Sequence, residues 1–590
     1  MGQRIKRDKR RQFERPGDSK RTFLRLISYL SDYKGHILLM FILVVISVAS
    51  SLVGSYMIRP IINDYIIPGD IRGLIITLCI LVAIYVVGAF ATYILYKLLI
   101  KIGQRVTSHL RGELFTKMER LPVRYFDTNQ HGDLMSRFTN DMDRISEVLT
   151  DHLADIFTAG LTLLGIFGVM IYISPILTIV TLLTVPLMML FTRMVARKSR
   201  KYFSAQQDSM GQVNGYIEEM ISGQRVVRLF GYEKEVIKEF EGLNMELRDG
   251  SQKAQLYSGM MMPIMHNLNT LNFVVITIVG ALLTIFRGFD IGGLAAFLQY
   301  SRQFGRPIND LATLYNNIQA AIAGAERIFQ ILDEDPEVQD IPDAIEIKRA
   351  AGDICMKDVC FEYESGKPVL KSISFHAKPG EKIALVGTTG AGKTTIFNML
   401  PRFYDILSGE IRIDNIPIRD IKRDDLRDML AMVLQDTHLF TGTVMENIRF
   451  GNLAASDERV IEAARLTRAH SFIKRLPQGY NTMLENDGEN LSQGQRQLLN
   501  ITRAAVSDPY ILLLDEATSN IDTRSEILIQ KGLDKLMEGR TSLIIAHRLS
   551  TIRNADRIMV MEDGRIVESG THDELITMRG QYHKLYQRTI

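Results

Sequence analysis

A glycine-rich turn in the second half of the chain has the residue types needed to hold phosphate groups. Residues 383–400 read IALVGTTGAGKTTIFNML: an apolar strand, then the turn, then a helix. The turn matches G-x-x-x-x-G-K-[ST] in the context that this pattern requires, and its backbone N–H groups can surround phosphates. Lys393 is suited to neutralise the β- and γ-phosphates of a nucleotide, and the Thr394 hydroxyl is suited to hold Mg²⁺. The residues expected to contact the nucleotide are Gly387, Thr388, Thr389, Gly390, Ala391, Gly392, Lys393, Thr394 and Thr395.

A second apolar strand ends in a pair of carboxylates. Residues 510–519 read YILLLDEATS, with four aliphatic residues directly before the acids. The carboxyl ends of parallel strands are where α/β sheets bind ligands. Asp515 is suited to hold Mg²⁺ through water, and Glu516 to accept a proton from an attacking water. Alone, this pattern is often a surface cap, but beside the glycine-rich turn it indicates nucleotide hydrolysis.

A third motif, LSQGQRQ at residues 491–497, places a serine and a glycine at the start of a helix. The free N–H groups and the positive dipole end of a helix N-terminus attract anions. As an isolated string, the motif would be an ordinary helix cap.

The first half of the chain reads as membrane helices. A spanning helix needs about 20 apolar residues, because bilayer hydrocarbon is roughly 30 Å thick. Ile156–Thr192 is uncharged but too long for one span. A residue before proline is biased away from helix, so we divide this run at Ser174. The six predicted spans are Ile37–Met57, Leu74–Tyr96, two within Ile156–Thr192, Met260–Phe286 and Ile291–Ile322.

The sixth span is the least apolar, since it contains Arg302, Arg306 and Asp310. A charged side chain at the bilayer centre costs about 3 kcal/mol on insertion scales. Either these residues face a water-filled cavity, or they lie on a helical extension below the membrane. Arg306, Asp310 and the polar residues after them favour the extension.

Charge predicts which segments are cytoplasmic. Lys97–Asp155, Arg193–Tyr257 and the N-terminal residues 1–21 are rich in Lys and Arg, which marks the cytoplasmic side of a membrane protein. The N-terminus also lacks the apolar core of a signal peptide. With six spans, the chain returns to the cytoplasm near residue 325.

Length, charge and cysteines set further bounds. The chain has 590 residues and a net charge of +3, which predicts several domains and no nucleic-acid partner. Cys79 lies in an apolar run and is expected to be a buried, inert thiol. The spacing of Cys355 and Cys360 predicts neither a disulfide nor a metal site.

The ordered motifs resemble the ABC transporter family, on its exporter side. They are Tyr363, the glycine-rich turn, Gln435 in VLQDTHLF, LSQGQRQ, LLLDEATSNID and His547 in IIAHRLS. Residues 121–145 and 214–235 resemble exporter intracellular loops, so the resemblance covers nearly the whole chain. It implies an all-α, six-helix transmembrane domain followed by an α/β P-loop nucleotide-binding domain.

On this basis the chain divides into four parts. They are a cytoplasmic tail with an elbow helix (1–34), the transmembrane domain (35–330), an acidic linker with two prolines (331–349) and the ATP-binding domain (350–590).

The resemblance also implies residue roles, with ATP and Mg²⁺ as cofactors. Tyr363 would stack on adenine. Gln435 would sense the metal and the γ-phosphate, and His547 would contact the γ-phosphate, so these two join Glu516 as catalytic residues. The residues implied to meet the nucleotide or the interface of a second subunit are Ser492, Gly494, Gln495 and Asp522.

The mechanism implied by the resemblance is alternating access. Two nucleotide-binding domains sandwich two ATP molecules, and closure is transmitted to the membrane helices. Short intracellular helices near residues 120–127 and 212–221 would carry this motion. The protein is expected in the cell membrane, with a bacterial inner or plasma membrane favoured and the N-terminus and ATPase domain cytoplasmic.

Two departures from the family pattern bear on the partner. The signature is usually L-S-G-G-Q, but Gln493 replaces the first glycine of the pair, and Glu485 and Asn486 replace a usual glycine-glutamate step. The chain therefore resembles the catalytically complete half of heterodimeric bacterial multidrug exporters. A homodimer that tolerates Gln493 is the alternative.

The fifth span, which begins GMMMPIMHNLNTLNF, suits adaptable binding of apolar compounds because methionine side chains change shape readily. Asn267, Asn269, Asn272, Gln299 and Tyr300 can line a cavity or join helices by hydrogen bonds. The predicted function is export of hydrophobic or amphipathic compounds. The alternatives are a dedicated lipid or peptide exporter, and an ATP-gated channel or regulator without transport.

Overall fold

The computed structural model describes residues 19–347, 349–435, 437–515, 522–546 and 552–589. It divides into two compact units. Of the described residues, the first contains 19–119 together with Gly132–Glu334, and the second contains Arg120–His131 and those from Asp335 onward. The division between Glu334 and Asp335 falls inside the predicted linker.

The described part of the chain before residue 335, residues 19–334, is helical. The helices are α1 (Ser19–Ser28), α2 (Lys34–Tyr56), α3 (Ile58–Pro60), α4 (Ile71–Met118), α5 (Val123–Thr128), α6 (His131–Ser136), α7 (Met142–Glu147), α8 (Leu153–Ile173), α9 (Pro175–Ser222), α10 (Gln224–Phe230), α11 (Glu233–Gly259), α12 (Met261–Arg287) and α13 (Ile291–Asp333). Shorter helical turns cover Ser31–Tyr33, Ile61–Ile66, Arg137–Asp141 and Val148–His152.

Six long helices cover the six predicted spans: α2, α4, α8, α9, α12 and α13. By length and hydropathy, the segments able to cross a membrane are Ser31–Ile66, Ile71–Met118, His131–Ile173 and Glu233–Arg287, and Pro175–Thr184 is a shorter apolar helical segment. The 48 residues of α4 and of α9 correspond to about 72 Å of helix. Each therefore extends far beyond a hydrocarbon layer of roughly 30 Å.

The break between α8 and α9 lies at Ser174, as predicted. Ser174 is extended, with φ −160° and ψ 107°, and its hydroxyl accepts a hydrogen bond from the Leu177 N–H at 3.4 Å. Pro175 is the first residue of α9, where its missing N–H costs nothing. Serine capping and proline together end one helix and begin the next.

The second short intracellular helix is not where the sequence placed it. Residues 212–221 form the last turns of α9, and the short helix is α10, which follows Gly223. Gly231 ends α10 in the left-handed conformation, with φ 66°. Residues 212–221 contain no helix-ending turn, so α9 continues until Gly223, and the two glycines bound the short helix instead.

The predicted burial of Cys79 is also wrong. Its side chain is exposed on α4, because an outward face of a membrane helix is as apolar in sequence as an inward one.

The described residues of the second unit form three sheets. The strands are β1 (Ile354–Glu362), β2 (Pro368–Ala377), β3 (Lys382–Gly387), β4 (Ser408–Ile413), β5 (Ile416–Pro417), β6 (Leu430–Val433), β7 (Gly442–Thr443), β8 (Met483–Leu484), β9 (Ile511–Asp515), β10 (Thr541–Ile545), β11 (Arg557–Glu562) and β12 (Arg565–Gly570). The largest sheet has the order β12-β11-β3-β10-β9-β6, and all its neighbours are parallel except β11 and β12. An antiparallel sheet has the order β2-β1-β4-β5, and β7 pairs with β8.

Helices cover the parallel strands, and the central strands are buried on both faces. Leu512, Leu513 and Leu543 are fully buried, which explains why β9 and β10 are continuous apolar runs. The helices described in this unit after residue 335 are α14 (Lys393–Met399), α15 (Arg423–Asp428), α16 (Val444–Arg449), α17 (Asp457–Leu466), α18 (His470–Ile473), α19 (Gln493–Ser507), α20 (Thr523–Met537), α21 (His572–Met578) and α22 (Gln581–Thr589).

Candidate active site

Four neighbouring strands end at one edge of the large sheet, and the predicted site residues follow those ends. Gly387 is the last residue of β3 and Asp515 is the last of β9, with β10 between the two strands. Ile545 at the end of β10 pairs with Asp515, and Gln435 follows β6 by two residues. Ligands bind at this carboxyl edge in open α/β sheets.

Two of the predicted catalytic residues follow the ends of β9 and β10 in the sequence. Glu516 comes directly after β9, and His547 lies two residues after β10. Both lie outside the described residues.

The glycine-rich turn between β3 and α14 requires glycine at particular positions. Gly390 and Gly392 have φ of 86° and 99°, values that side chains disfavour. A Cβ on Gly392 would lie 2.8 Å from the Leu370 Cδ2, and one on Gly387 would lie 2.2 Å from the Met561 carbonyl oxygen. A Cβ on Gly390 would have no heavy atom within 4 Å, so this side of the turn is open to a ligand.

Lys393 lies folded into the turn. Its side chain donates hydrogen bonds to the carbonyl oxygens of Gly387 at 2.7 Å and Thr388 at 3.0 Å, and the residue is only 7% exposed. Burial lowers the pKa of the Lys393 ammonium, and the nearby charge of Asp515 partly opposes this. A buried cation held by two carbonyl dipoles gains from an incoming anion.

The donor and acceptor set fits Mg²⁺ and a nucleotide. The turn offers backbone N–H groups and an ammonium, the Thr394 hydroxyl is exposed, and Asp515 supplies a carboxylate at the adjacent strand end. Oxygen ligands with phosphate oxygens are what Mg²⁺ prefers. Lys393 and the turn would hold the phosphates, and Thr394 and Asp515 would hold the metal.

Tyr363 lies next to this turn. Its hydroxyl donates to the Thr395 Oγ1 at 3.3 Å and accepts from the Asn398 amide at 3.3 Å. Its ring meets Phe361 and Tyr404 edge to face, with centroids 4.8 Å and 5.1 Å away. These contacts fix the ring beside the first turns of α14.

Tyr404 and its partner Asp127 are functional-site residues that no sequence motif indicated. The Tyr404 hydroxyl donates to the Asp127 Oδ2 at 2.5 Å across 277 residues of chain. Burial, and then this hydrogen bond, raise the pKa of the Tyr404 hydroxyl. The Arg124 guanidinium also donates to the Tyr363 carbonyl oxygen at 3.4 Å. The segment Arg120–His131 thereby contacts the aromatic group beside α14.

The signature motif forms a helix cap. Ser492 caps α19: its hydroxyl accepts from the Gln495 N–H at 3.3 Å, and the Gln495 side chain accepts from the Ser492 N–H at 3.0 Å. Gln493, the first helical residue, is exposed, whereas Gly494 is buried. Among the residues that the structure describes, no hydrogen bond or ion pair joins Ser492–Gln495 to the glycine-rich turn.

The remaining predicted residues lie at loop ends. Gln435 is exposed in a bend, and two residues later Thr437 donates to the Gln497 side chain at 2.7 Å, which links this loop to α19. Asp522 caps α20 by accepting from the Ser525 N–H at 2.9 Å, and that hydrogen bond lowers the pKa of Asp522.

Comparisons with known proteins agree with this geometry. The family model for the ABC transporter transmembrane region matches residues 37–308, and the family model described as ABC transporter matches residues 370–519. A Bacillus subtilis (strain 168) protein named "Uncharacterized ABC transporter ATP-binding protein YfiC" is 44% identical over 570 residues, covering 97% of this chain and 94% of that protein. A Mycobacterium bovis protein named "Fatty acid ABC transporter ATP-binding/permease protein" is 41% identical over 523 residues, covering 88% of this chain and 83% of that protein.

A solved structure gives the same result. It is described as a bacterial Atm1-family ABC exporter with ATP bound, and it matches with a TM-score of 0.73 and 26% identity over 94% of this chain and 98% of that chain. The protein is thus a multi-pass cell-membrane protein with a cytoplasmic ATPase domain that uses ATP and Mg²⁺. The chain belongs to the ABC transporter family, as an exporter half-transporter that couples ATP hydrolysis to transport.

Proposed function

We propose that this chain is the catalytically complete half of a heterodimeric exporter that moves hydrophobic or amphipathic compounds out of the cytoplasm or the inner leaflet. The observation that carries the heterodimer is the contrast between an intact phosphate-binding turn and a signature helix that begins with the exposed residue Gln493.

The proposed hydrolytic site uses residues at the carboxyl edge of the sheet. Lys393 and the turn hold the phosphates, while Thr394 and Asp515 hold Mg²⁺. Glu516 accepts the proton of the attacking water, and His547 contacts the γ-phosphate. Because Lys393 is buried and already held by carbonyl oxygens, it is positioned before the nucleotide arrives.

The remaining roles connect this site to its surroundings. Tyr363 stacks on adenine, and Gln435 senses the metal and γ-phosphate from its loop beside α19. Ser492, Gly494 and Asp522 act at the interface with the second subunit. The absence of a described contact between the signature motif and the chain's own glycine-rich turn supports a site completed by a partner.

Gln493 favours a second subunit that differs from this chain. A phosphate that approaches the N-terminus of α19 must pass the first helical residue, where glycine allows the closest backbone approach. A glutamine there adds a side chain at that point. If this signature serves a site that does not need rapid hydrolysis, Gln493 does not reduce the turnover of the assembly. A heterodimer, in which one site hydrolyses ATP rapidly and the other does not, has this arrangement.

Affinity purification tests the heterodimer. A tag on this chain in its source membranes is expected to recover a second, similar half-transporter with an altered acidic pair. The chain expressed alone is expected to give little ATPase activity. A stable dimer of this chain alone, with ATPase activity equal to the native assembly, would establish the homodimer instead.

The membrane half supports an apolar cargo. Asn272 and Tyr300 are buried and engaged, since Asn272 donates to the Ser301 hydroxyl at 3.2 Å and Tyr300 to the Leu52 carbonyl oxygen. They therefore join helices. Asn267 and Asn269 are exposed and remain candidates for cargo contact. The Mycobacterium bovis relative is named for fatty acids, which are amphipathic, and this also supports a dedicated lipid exporter as the second candidate.

Transport separates these functions from an ATP-gated channel. Inverted vesicles containing the native assembly are expected to accumulate an amphipathic fluorescent dye when ATP is added, and the Glu516→Gln variant is expected to lose accumulation. If the variant moves the dye as well as the wild type, turnover does not drive transport.

A further inference from the structure

A cavity lies between α9 on one side and the end of α11 with α12 on the other, within the first unit. Its volume is about 570 Å³, within the range of about 300–1,000 Å³ that small-ligand sites occupy. The wall contains Phe191, Met194, Lys198, Tyr257, Asn267 and Leu271. It is therefore mainly apolar, with a single cation.

Two contacts bound this cavity along α9, one with α12 and one with α11. Toward the membrane, the Thr184 hydroxyl and the Asn272 side-chain oxygen are 3.1 Å apart. Toward the cytoplasm, the rings of Tyr202 and Tyr257 stack with centroids 5.0 Å apart and planes 3° apart. The cavity lies between these two contacts, so the gap is a space bounded at both ends.

Lys198 lies at the cytoplasmic end of the gap. It is about 35 Å along α9 from Pro175, at ~1.5 Å per residue. Since α9 starts at the external surface and bilayer hydrocarbon is roughly 30 Å thick, Lys198 reaches the level of the inner headgroups. Phe191 and Met194 lie nearer the middle of the bilayer on the same helix.

The cation has room for an anion. The Lys198 ammonium is 5.6 Å from the centroid of the Tyr257 ring, a distance at which the ring attracts the charge. Among the wall residues that the structure describes, none is acidic. From Pro175 to Gln207, α9 contains five basic residues and no acid, so the local potential favours a negative group.

We propose that this gap binds an anionic amphiphile from the inner leaflet, with its carboxylate or phosphate headgroup on Lys198 and its chain against Phe191, Met194 and Leu271. The inference rests on the proposed function, because it names the class of compound presented for export. Its polarity matches the membrane: the cation lies at headgroup level and the apolar wall extends toward the hydrocarbon.

Headgroup charge decides binding at such a site. A chain that leaves lipid for an apolar wall gains little, because lipid tails are as apolar as that wall. The ion pair with Lys198 is the interaction that lipid does not supply. Binding is therefore expected to depend strongly on headgroup charge and weakly on chain length.

Photolabelling of the full-length native assembly in nanodiscs tests the proposal. The probes are C16 chains that carry a diazirine and end in a carboxylate, a phosphate, an alcohol or a trimethylammonium group. The acidic probes are expected to label peptides that contain residues 191–198 or 257–271. The carboxylate and phosphate arms show which headgroup is preferred.

Matched variants assign the effect to Lys198. Lys198→Gln is expected to reduce acidic-probe labelling about fivefold, the effect of one basic residue near a membrane surface, and Lys198→Arg is expected to retain it. Arg197→Gln removes an exposed charge one residue away, outside the cavity wall, and is expected to leave labelling unchanged.

Three outcomes would overturn the proposal: no labelling of these peptides in the wild type, equal labelling by all four probes, or equal loss in Lys198→Gln and Arg197→Gln. The first is the result expected if partner helices fill the gap. Dye accumulation in inverted vesicles that contain the same assembly reports the proposed function separately. If accumulation persists while labelling is absent, only this site is wrong, and if accumulation itself is absent, the export proposal fails.

Discussion

The N-termini of α14 and α19 are two anion-binding positions built in different ways. The first follows a turn with left-handed Gly390 and Gly392 and begins with the buried Lys393. The second begins with the exposed Gln493, after Ser492, whose capping partner Gln495 lies in the same turn. The α14 turn depends on glycines and a cation, whereas the α19 cap is complete without Gln493. Substitution at Gln493 therefore leaves the start of α19 intact, while few substitutions are compatible with the turn before α14.

The largest effect on ATP turnover is expected from Lys393, the buried cation at the start of α14. Lys393→Ala is expected to reduce ATP turnover of the native assembly by roughly 10²–10³-fold, the usual effect of losing a preorganised electrostatic group. Lys371→Ala is the control, because Lys371 pairs with the exposed Asp563 at 2.8 Å and such pairs contribute little. Steady-state ATPase measurements compare them, and similar losses in both variants would contradict the role of Lys393.

Glycine replacements test the turn itself. Gly392→Ala and Gly390→Ala share the strain of a positive φ, but only the Cβ at Gly392 meets Leu370, at 2.8 Å. Overpacking costs about 1–3 kcal/mol, so Gly392→Ala is expected to weaken nucleotide affinity roughly tenfold more than Gly390→Ala. Titration with a fluorescent ATP analogue measures both, and equal losses would show that the contact does not matter.

The cap on α19 should show a smaller, local effect. Ser492→Ala removes the acceptor of the Gln495 N–H and is expected to cost about 1 kcal/mol, which makes amide exchange in the first turn about fivefold faster. Thr571→Ala removes the same kind of capping box from α21, away from the phosphates. Hydrogen exchange should respond at the substituted helix in each variant, whereas ATPase activity should change by less than about twofold in both, because in the proposed heterodimer α19 serves the site without rapid hydrolysis.

The smallest effect is expected at Gln493. In a heterodimer, Gln493→Gly changes the site that does not carry rapid hydrolysis, so ATPase activity should change by less than about twofold, as for an ordinary exposed position. In a homodimer both sites contain Gln493, and turnover would rise well beyond this. Gln493→Ala controls for the loss of the side chain without added backbone freedom.

The parts of the molecule that the sequence predicted well have local signals. The Ser-Pro pair at 174–175 predicts a helix break within an uncharged run, and the structure has the break between α8 and α9 at Ser174. The glycine-rich turn and the strand before Asp515 are likewise contiguous patterns, because their chemistry depends on neighbours in sequence.

The parts that the sequence did not predict depend on distant contacts. Nothing near Tyr404 indicates that its hydroxyl meets Asp127, and nothing near Cys79 tells an inward face from an outward one. The short helix α10 had a usable signal, since Gly223 and Gly231 bound it, but the polar pattern of residues 212–221 resembled a helix as well. A periodic pattern predicts that a helix is present, but it does not predict where the helix ends when few glycines or prolines interrupt the sequence.

The inclusion of Arg120–His131 in the second unit has a consequence for biosynthesis. Asp127 leaves the ribosome 277 residues before Tyr404, which corresponds to roughly 14–55 s at about 5–20 residues per second. During that time most of the membrane helices are made while this segment has no surface to dock on. Its docking must therefore be a late step of assembly, and a fragment that starts at residue 335 would be made without a piece of its own surface.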